Sequence, residues 1–255
     1  MNSNCAFNCF GLVIHGYGAD QVLDKLDELL KQQQQVMVVT ANAEILLHAR
    51  RDPTYWNILR QADLRLVDGS GPKIAGWMKG ANPRRIAGVE FARLLVKTAA
   101  ERGWKVALVG GGRDIAGAAD KAAWALRQEF PNLQVIAESK GKVATDGSDD
   151  DEGAEARFRL TQFAPDILLV AYGHPKQEAW ILRHLAELPS VKIAVGVGGT
   201  LDYWSGSKKR APAIFRTLGL EWSYRLFAEP KRWKRIADAV IIFPLYFAWD
   251  LLRGK

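Results

Sequence analysis

Short apolar runs separated by helical patterns are the feature that most constrains this fold. The run Val36–Thr40 is followed by a segment, extending to Leu59, whose Ala, Leu and Arg content predicts one helix. Further apolar runs lie at 64–67, 105–109, 133–137, 167–171 and 191–197. Buried strands that alternate with helices are typical of a parallel sheet covered on both faces. The sequence therefore predicts an α/β fold with a mostly parallel sheet.

The formal net charge of +7 is confined to the end of the chain. Residues 1–207 contain 24 Lys and Arg and 24 Asp and Glu, whereas residues 208–255 contain 11 and 4. The strand–helix alternation also stops near Ser207. We therefore predict an α/β body over 1–207 and a basic, Trp-rich helical appendage over 208–255. A basic tail indicates an anionic partner, and a merely solvated face is the alternative.

The appendage contains an apolar stretch from Ala239 to Trp249 that Pro244 is predicted to break. This stretch is well short of the roughly 20 residues that a membrane-spanning helix needs. Basic residues beside Trp, Tyr and Phe suit a segment that lies in a membrane interface. An amphipathic helix packed on the body is the alternative prediction.

Composition favours a reduced, cytoplasmic protein. The two cysteines, Cys5 and Cys9, are too few to complete a zinc site. The first ten residues have neither a basic start nor a long apolar run, so no signal peptide is predicted.

Two motifs give only weak evidence for a bound metal or dinucleotide. The glycines at 110–112 fit the first positions of the dinucleotide fingerprint, but its sixth position is Ile115. The acidic run 149–151 has no flanking apolar strand to hold it, and a solvated loop is expected there. We therefore predict no cofactor and no metal site.

Three clusters of polar residues follow predicted strands, where open α/β sheets bind ligands. Thr40 and Asn42 end the first strand, and helix capping would explain them nearly as well. Asp68 ends the second strand and is a candidate general base, or else a turn residue. Lys176 and Gln177 belong to a turn, 173–178, that is crowded with functional side chains. Such crowding favours a functional role.

In this order, the clusters resemble the WecG/TagA/CpsF glycosyltransferase family, over about residues 11–235. The motifs that carry the resemblance are Thr40-x-Asn42, Asp68-Gly69, Arg85-Ile86-Ala87-Gly88-Val89, Pro175-Lys176-Gln177-Glu178, Gly196-Val197-Gly198-Gly199, Arg210-Ala211-Pro212, Leu218 to Trp222, Tyr224-Arg225-Leu226 and Glu229-Pro230-x-Arg232. Each motif is weak alone, and together they are specific.

The resemblance implies a Rossmann-like fold and an inverting, metal-independent transfer of N-acetylmannosamine or its uronic acid. The implied donor is a UDP-sugar, and the acceptor is undecaprenyl-diphosphate-linked N-acetylglucosamine, in teichoic acid or other cell-surface polysaccharide synthesis. A cytoplasmic enzyme attached peripherally to the inner face of the plasma membrane would suit that acceptor.

The resemblance also assigns roles to residues. The implied catalytic residues are Asp68, as the base, and Thr40, which together with Asn42 would contact the sugars. The other implied substrate-binding residues are Arg85, Lys176, Gln177, Arg225, Arg232 and Arg235, the last three as ligands of a diphosphate.

Three alternatives and one further property stay open. Glu90 stands where the family motif usually has Asp, which leaves a glucose-type donor as an alternative. A nucleotide-binding oxidoreductase is a second alternative, but it would need the glycine fingerprint that this sequence lacks. A nucleic-acid-binding module is a third, and it would need basic residues along a face of the body. No nucleic acid is therefore expected. A homo-oligomer is left open.

Overall fold

The computed structural model describes residues 5–111, 117–212, 215, 221–228 and 233–253. Within them, eight strands form one sheet in the order β1-β2-β4-β3-β8-β7-β5-β6. The strands are β1 Ala6–Cys9, β2 Leu12–His15, β3 Val36–Ala41, β4 Leu64–Val67, β5 Val106–Gly110, β6 Val135–Glu138, β7 Ile167–Ala171 and β8 Ile193–Gly196. All neighbouring strands are parallel except β1 and β2. The predicted α/β fold is confirmed.

The antiparallel hairpin β1–β2 at one edge of the sheet was not predicted. Its turn consists of Phe10 and Gly11, both with positive φ (53° and 81°), as the mirror-image hairpin turns require. Phenylalanine is not a turn-forming residue, so the sequence carries little signal for the hairpin. The turn is held instead by Trp56, whose indole Nε1 donates to the Phe10 carbonyl at 2.9 Å.

Helices cover both faces of the sheet. They are α1 Ala19–Gln32, α2 Ala43–Arg51, α3 Pro53–Gln61, α4 Ser70–Met78, α5 Gly88–Arg102, α6 Ala118–Glu129, α7 Asp151–Phe163, α8 Lys176–His184, α9 Thr200–Trp204, α10 Glu221–Ala228, α11 Trp233–Ala237 and α12 Phe243–Leu252. Alternate residues of β3 enter two separate cores, Val39 on the side of α2 and α8 and Val38 on the side of α1 and α5. The sheet is therefore held between two apolar layers, one on each face.

The single helix predicted after β3 is wrong, because the chain breaks at Asp52 and Pro53. Proline cannot donate a backbone hydrogen bond, so it suits the first turn of a helix and not the interior. Asp52 ends α2 and caps α3, where its side chain accepts from the N–H groups of Thr54 and Tyr55. One residue thus turns the chain between two helices.

The last helix packs on the body. Phe243 and Phe247 of α12 are buried against the body, and the Phe10 ring lies 5.6 Å from that of Phe243. Two bidentate pairs, Arg50 with Asp250 and Arg51 with Asp238, join α2 to the same segment. The predicted appendage is therefore joined to the core through residues 238–250.

Pro244 does not break the apolar stretch, contrary to the prediction. The turns before it, Asp238–Ile242, are π-helical, and the chain stays helical from residue 233 to 252. Wider turns of this kind make room for a proline ring inside a helical run. Among the described residues, no helix combines the length and the apolar character needed to cross a bilayer.

The packing of α12 makes a testable prediction about stability. Phe243→Ala should lower the free energy of unfolding by about 3–5 kcal/mol, because it empties a buried aromatic site. Leu252→Ala, on the exposed side of the same helix, should change it by less than about 0.5 kcal/mol. Urea unfolding measures both. Equal and small effects would show that α12 is not part of the core.

Candidate active site at the carboxyl edge of the sheet

Thr40 and Asp68 meet at the ends of the neighbouring strands β3 and β4. Ala41 lies opposite Val67 in the parallel register, and the Asp68 N–H donates to the Ala41 carbonyl at 3.1 Å. The two predicted catalytic residues are therefore brought to one edge of the sheet. Thr40 is buried and Asp68 is partly exposed.

The first turn of α5 closes on these two side chains. A methyl group placed on Gly88 would lie 3.0 Å from Thr40 Oγ1 and 3.6 Å from Asp68 Oδ2. Glycine at this position keeps the space beside both oxygens open. The N-terminal end of a helix carries a partial positive charge, which favours the ionised form of a neighbouring carboxylate. Asp68 and Thr40 are thus held beside the backbone of Gly88, at the start of α5, with no side chain between them and that glycine.

Gly69 directs the chain from Asp68 into α4. Its φ of +89° and ψ of 174° lie in a region that only glycine adopts without strain. A side chain here would cost on the order of 1–3 kcal/mol. The glycine therefore fixes the position of the carboxylate just before it.

Asn42 caps α2, as the alternative prediction for it stated. Its Oδ1 accepts from the Ile45 N–H at 3.0 Å. The amide nitrogen of the same group makes no hydrogen bond to the described part of the chain. Capping therefore leaves two N–H donors of Asn42 for a ligand at the sheet edge.

Two arginines lie close to this edge. The Ile86 N–H donates to the Val67 carbonyl at 3.0 Å, which places the preceding Arg85 beside the end of β4. Arg85 is half-buried and has no side-chain partner within the described ranges. Arg235 of α11 donates through Nε to Glu44 of α2 at 2.8 Å, two residues after Asn42. Both guanidinium groups can bind phosphate oxygens.

Two of the predicted arginines have no described side chain. Arg232 lies outside the described residues, and of Arg225 only the backbone, in α10, is described. Their predicted role as diphosphate ligands stays a prediction.

Arg210 also lies close to this site; the sequence analysis named it in a family motif and assigned it no role. Its guanidinium donates at 2.7 Å to Glu90, in the first turn of α5, two residues after Gly88. Its Nε is buried and has no hydrogen-bond partner within the described structure. The signal in the sequence was its place at the start of the basic segment.

Gln177 joins the loops that follow β7 and β8. Its Oε1 accepts from the N–H groups of Gly173 and Gly198 at 3.2 and 3.0 Å, and its Nε2 donates to Glu178 at 2.6 Å. The side chain is buried. Lys176 is turned elsewhere, since its Nζ donates to the Val143 carbonyl at 2.6 Å. Direct substrate binding by either residue stays a prediction, and their contacts in this structure are structural.

Glu178 is a buried carboxyl group that the sequence analysis did not select. It is fully buried, and burial raises its pKa to about 7, against the hydrogen bonds from Gln177 and Tyr55. The Tyr55 hydroxyl donates to its Oε2 at 3.1 Å. The rings of His48 and His174 lie within 7 Å of the Tyr55 ring. The signal for this burial in the sequence was the position of an acidic residue on the apolar side of a helix.

The acidic run 149–151 is only in part the solvated loop that was expected, since Asp150 and Asp151 are exposed and Asp149 is not. The Asp149 side chain is only 4% exposed and accepts two hydrogen bonds from Arg157 and one from Trp180. Asp150 caps α7 by accepting from the Gly153 N–H. Asp149 and Asp150 therefore already have protein partners. Within the described ranges, no group of three or more His, Cys, Asp or Glu side chains could hold a metal ion.

A mostly parallel open sheet with a carboxylate, a hydroxyl and guanidinium groups at its carboxyl edge is typical of α/β enzymes, which bind substrates at that edge. The chain belongs to the WecG/TagA/CpsF glycosyltransferase family, whose sequence model matches residues 7–255. It is therefore a glycosyltransferase.

Curated relatives support the same assignment. A protein from Staphylococcus aureus strain MRSA252 is 37% identical over 202 residues, which cover 79% of this chain and 74% of the relative. A protein from S. aureus strain NCTC 8325 has the same identity and coverage. Both are named N-acetylglucosaminyldiphosphoundecaprenol N-acetyl-beta-D-mannosaminyltransferase.

The buried Glu178 makes the stability depend on pH. Its pKa is about 7 in the folded protein and 4.5 by reference, so the folded form keeps a proton that the unfolded chain releases. Below about pH 4.5 the protonated carboxyl makes its full contribution to the free energy of unfolding, about 3 kcal/mol relative to high pH. This contribution is lost as the pH rises from about 4.5 through 7. Glu178→Gln should remove it, because a neutral amide cannot titrate.

Urea unfolding from about pH 4.5 to about pH 8 measures the difference between wild type and Glu178→Gln. Glu155→Gln, at an exposed position on α7, is the control and should keep the wild-type dependence. Parallel curves for wild type and Glu178→Gln would contradict the raised pKa.

Proposed function

We propose that this glycosyltransferase moves N-acetylmannosamine, or its uronic acid, from a UDP-sugar to undecaprenyl-diphosphate-linked N-acetylglucosamine. The observation that carries the proposal is the approach of Asp68 and Thr40 to Gly88 at the sheet edge. One carboxylate close to a hydroxyl at the sheet edge is an arrangement that a single displacement by an acceptor hydroxyl can use. The printed name of the relatives supplies the sugar and the lipid-linked acceptor.

In the proposed reaction Asp68 is the general base. Its carboxylate takes the proton of the acceptor hydroxyl as that oxygen attacks the anomeric carbon of the donor. The bond from this carbon to the UDP oxygen breaks, the electron pair leaves with UDP, and the anomeric configuration inverts. Thr40 and Asn42 offer a hydroxyl and an amide to orient the sugars, and orientation of this kind is a major source of rate.

Guanidinium groups are proposed to take the place that a metal occupies in other nucleotide-sugar enzymes. Charge develops on the departing diphosphate, and preorganised cations stabilise it. Arg85 has no protein partner in the described structure, and Arg235 lies beside the same edge. Arg225 and Arg232 are proposed to join them. The reaction then requires no metal ion and no other cofactor.

The enzyme is further proposed to act at the inner face of the plasma membrane, attached peripherally. A lipid-linked acceptor keeps the reacting sugar close to the bilayer. The excess of positive charge in residues 208–255 suits an anionic surface, where each basic residue contributes about 1 kcal/mol. The product would serve teichoic acid or a related cell-surface polymer.

A panel of UDP-sugars tests the donor. With a lipid-diphosphate-N-acetylglucosamine acceptor and EDTA present, UDP-N-acetylmannosamine or its uronic acid should give product, and glucose-type donors should give little. Product analysis by mass spectrometry identifies the sugar transferred. Preference for a glucose-type donor would replace the proposed substrate with the alternative one. Turnover that returns only when Mg²⁺ or Mn²⁺ is added would contradict the role given to the arginines.

Asp68→Asn tests the base. The substitution keeps the size of the side chain and removes its basicity, so turnover should fall by at least about 100-fold. Circular dichroism and UDP binding by calorimetry should stay close to wild type. Asp24→Asn, at an exposed position of α1, is the matched control and should keep full turnover. Turnover of Asp68→Asn near the wild-type rate would exclude Asp68 as the base and leave His174 as the next candidate.

A further inference from the structure

Helix α4 exposes an apolar face to solvent. Ile74, Trp77 and Met78 are all about half exposed, and their spacing of three and four residues places them on one side of the helix. The other side packs on the body: a methyl group on Gly76 would lie 2.8 Å from the Phe7 ring. Large apolar side chains grouped in this way mark an interaction surface more often than isolated ones do.

Helix α12 has a second exposed apolar face and lies beside α4. A methyl group on Gly71 of α4 would be 3.4 Å from the Phe243 ring of α12. Phe243 and Phe247 point into the core, while Leu245, Trp249 and Leu252 are exposed. One apolar side of α12 is therefore covered by the core, and the other would be covered only by a second apolar environment outside the protein. The two exposed faces belong to adjoining helices.

Cations accompany the tryptophans of both faces. The Lys73 ammonium lies 4.9 Å from the centre of the Trp77 ring, and the Arg253 guanidinium lies 4.3 Å from that of Trp249. Tryptophan beside lysine or arginine is the pairing found at membrane–water interfaces, where the ring enters the headgroup region and the cation meets phosphate. This charge pattern favours a lipid surface over a protein partner.

We propose that the exposed faces of α4 and α12 together form a composite membrane-docking surface, in which Ile74, Trp77 and Met78 enter the bilayer interface. The proposal rests on the proposed function, whose acceptor is lipid-linked. It extends the docking surface beyond residues 208–255, to a helix of the α/β body.

The position of α4 gives this surface a consequence for the reaction. Helix α4 has nine residues and starts two residues after Asp68. At 1.5 Å per residue it is about 14 Å long, and the two residues before it add at most about 7 Å, so docking of α4 holds the candidate base within about 20 Å of the inserted face. The acceptor sugar is joined to the lipid through one diphosphate, so it also stays close to the bilayer.

Vesicle sedimentation of the full-length protein tests the proposal. The vesicles contain phosphatidylglycerol and phosphatidylcholine, at about 0.1 M and about 1 M salt, where the Debye length falls from about 10 Å to about 3 Å. Apolar insertion resists salt, whereas attraction of basic residues is screened. Wild type should therefore keep part of its binding at high salt. The variant Ile74→Ser/Trp77→Ser/Met78→Ser should show a fall of about tenfold or more in this salt-resistant partitioning, and the exposed face of α12 supplies what remains.

Trp124→Ser is the matched control. Trp124 is at least as exposed as Trp77, but it lies on α6, which packs at the β6 end of the sheet, opposite the β1 edge where α4 lies. Its loss should leave binding at both salt concentrations unchanged. Trp77→Ser alone should give an intermediate loss. Circular dichroism should be the same for all variants, since each replaced side chain is exposed.

Activity provides a second measurement. The triple variant should lose transfer to a long-chain acceptor in vesicles and keep transfer to a water-soluble, short-chain acceptor. If wild type transfers no sugar at all, the proposed function fails, while the vesicle result still decides the docking surface. Unchanged salt-resistant binding of the triple variant overturns the proposal. So does dissociation of a dimer in sedimentation velocity with vesicle binding unaffected, which would assign the face to a second copy of the chain.

Discussion

The pairing of β3 with β4 is the interaction on which the rest of the structure depends. Val38, Val39, Thr40 and Ala41 lie opposite residues 64–67, and the Asp68 N–H continues the ladder by donating to Ala41. A parallel register brings both strands to the same edge, so a hydroxyl and a carboxylate that are distant in sequence become neighbours. A shift of one residue would turn both side chains to the opposite face. The apolar layers on the two faces exclude that shift, since they bury alternate residues of β3.

Much of the fold was predictable because the short apolar runs that form strands, and the polar residues that end them, are local features of the sequence. The strands Leu64–Val67 and Ile167–Ala171 have the predicted bounds, and Thr40, Asn42 and Asp68 lie at the predicted strand ends. The hairpin at the N-terminus was not predictable, since Phe10 adopts its positive φ beside a distant Trp56. Secondary structure near a strand end follows from local sequence, whereas such a turn depends on a tertiary contact.

The polar residues of the turn after β7 show a second limit of sequence. Gln177 and Glu178 look like exposed functional groups in the sequence, yet both are buried and hydrogen-bonded to each other. The partners of the Gln177 amide oxygen lie in the loops after β7 and β8, and these loops meet only in the folded protein. The same holds for Asp149, whose partner Trp180 is 31 residues away. Residue type predicts polar chemistry and says little about its partner.

Within the described residues, three ion pairs join α2 to the C-terminal segment, and they differ in their exposure to water. Arg50 and Asp250 are the least exposed, at 27% and 16%, and both Arg51 with Asp238 and Arg235 with Glu44 are more open. Exposed pairs are screened by salt more strongly than partly buried ones, and apolar contacts such as that of Phe243 are not screened. Attachment of the segment is therefore graded along its length. Rising ionic strength loosens first the part that carries Arg235 and Asp238, while α12 stays anchored through Asp250 and Phe243.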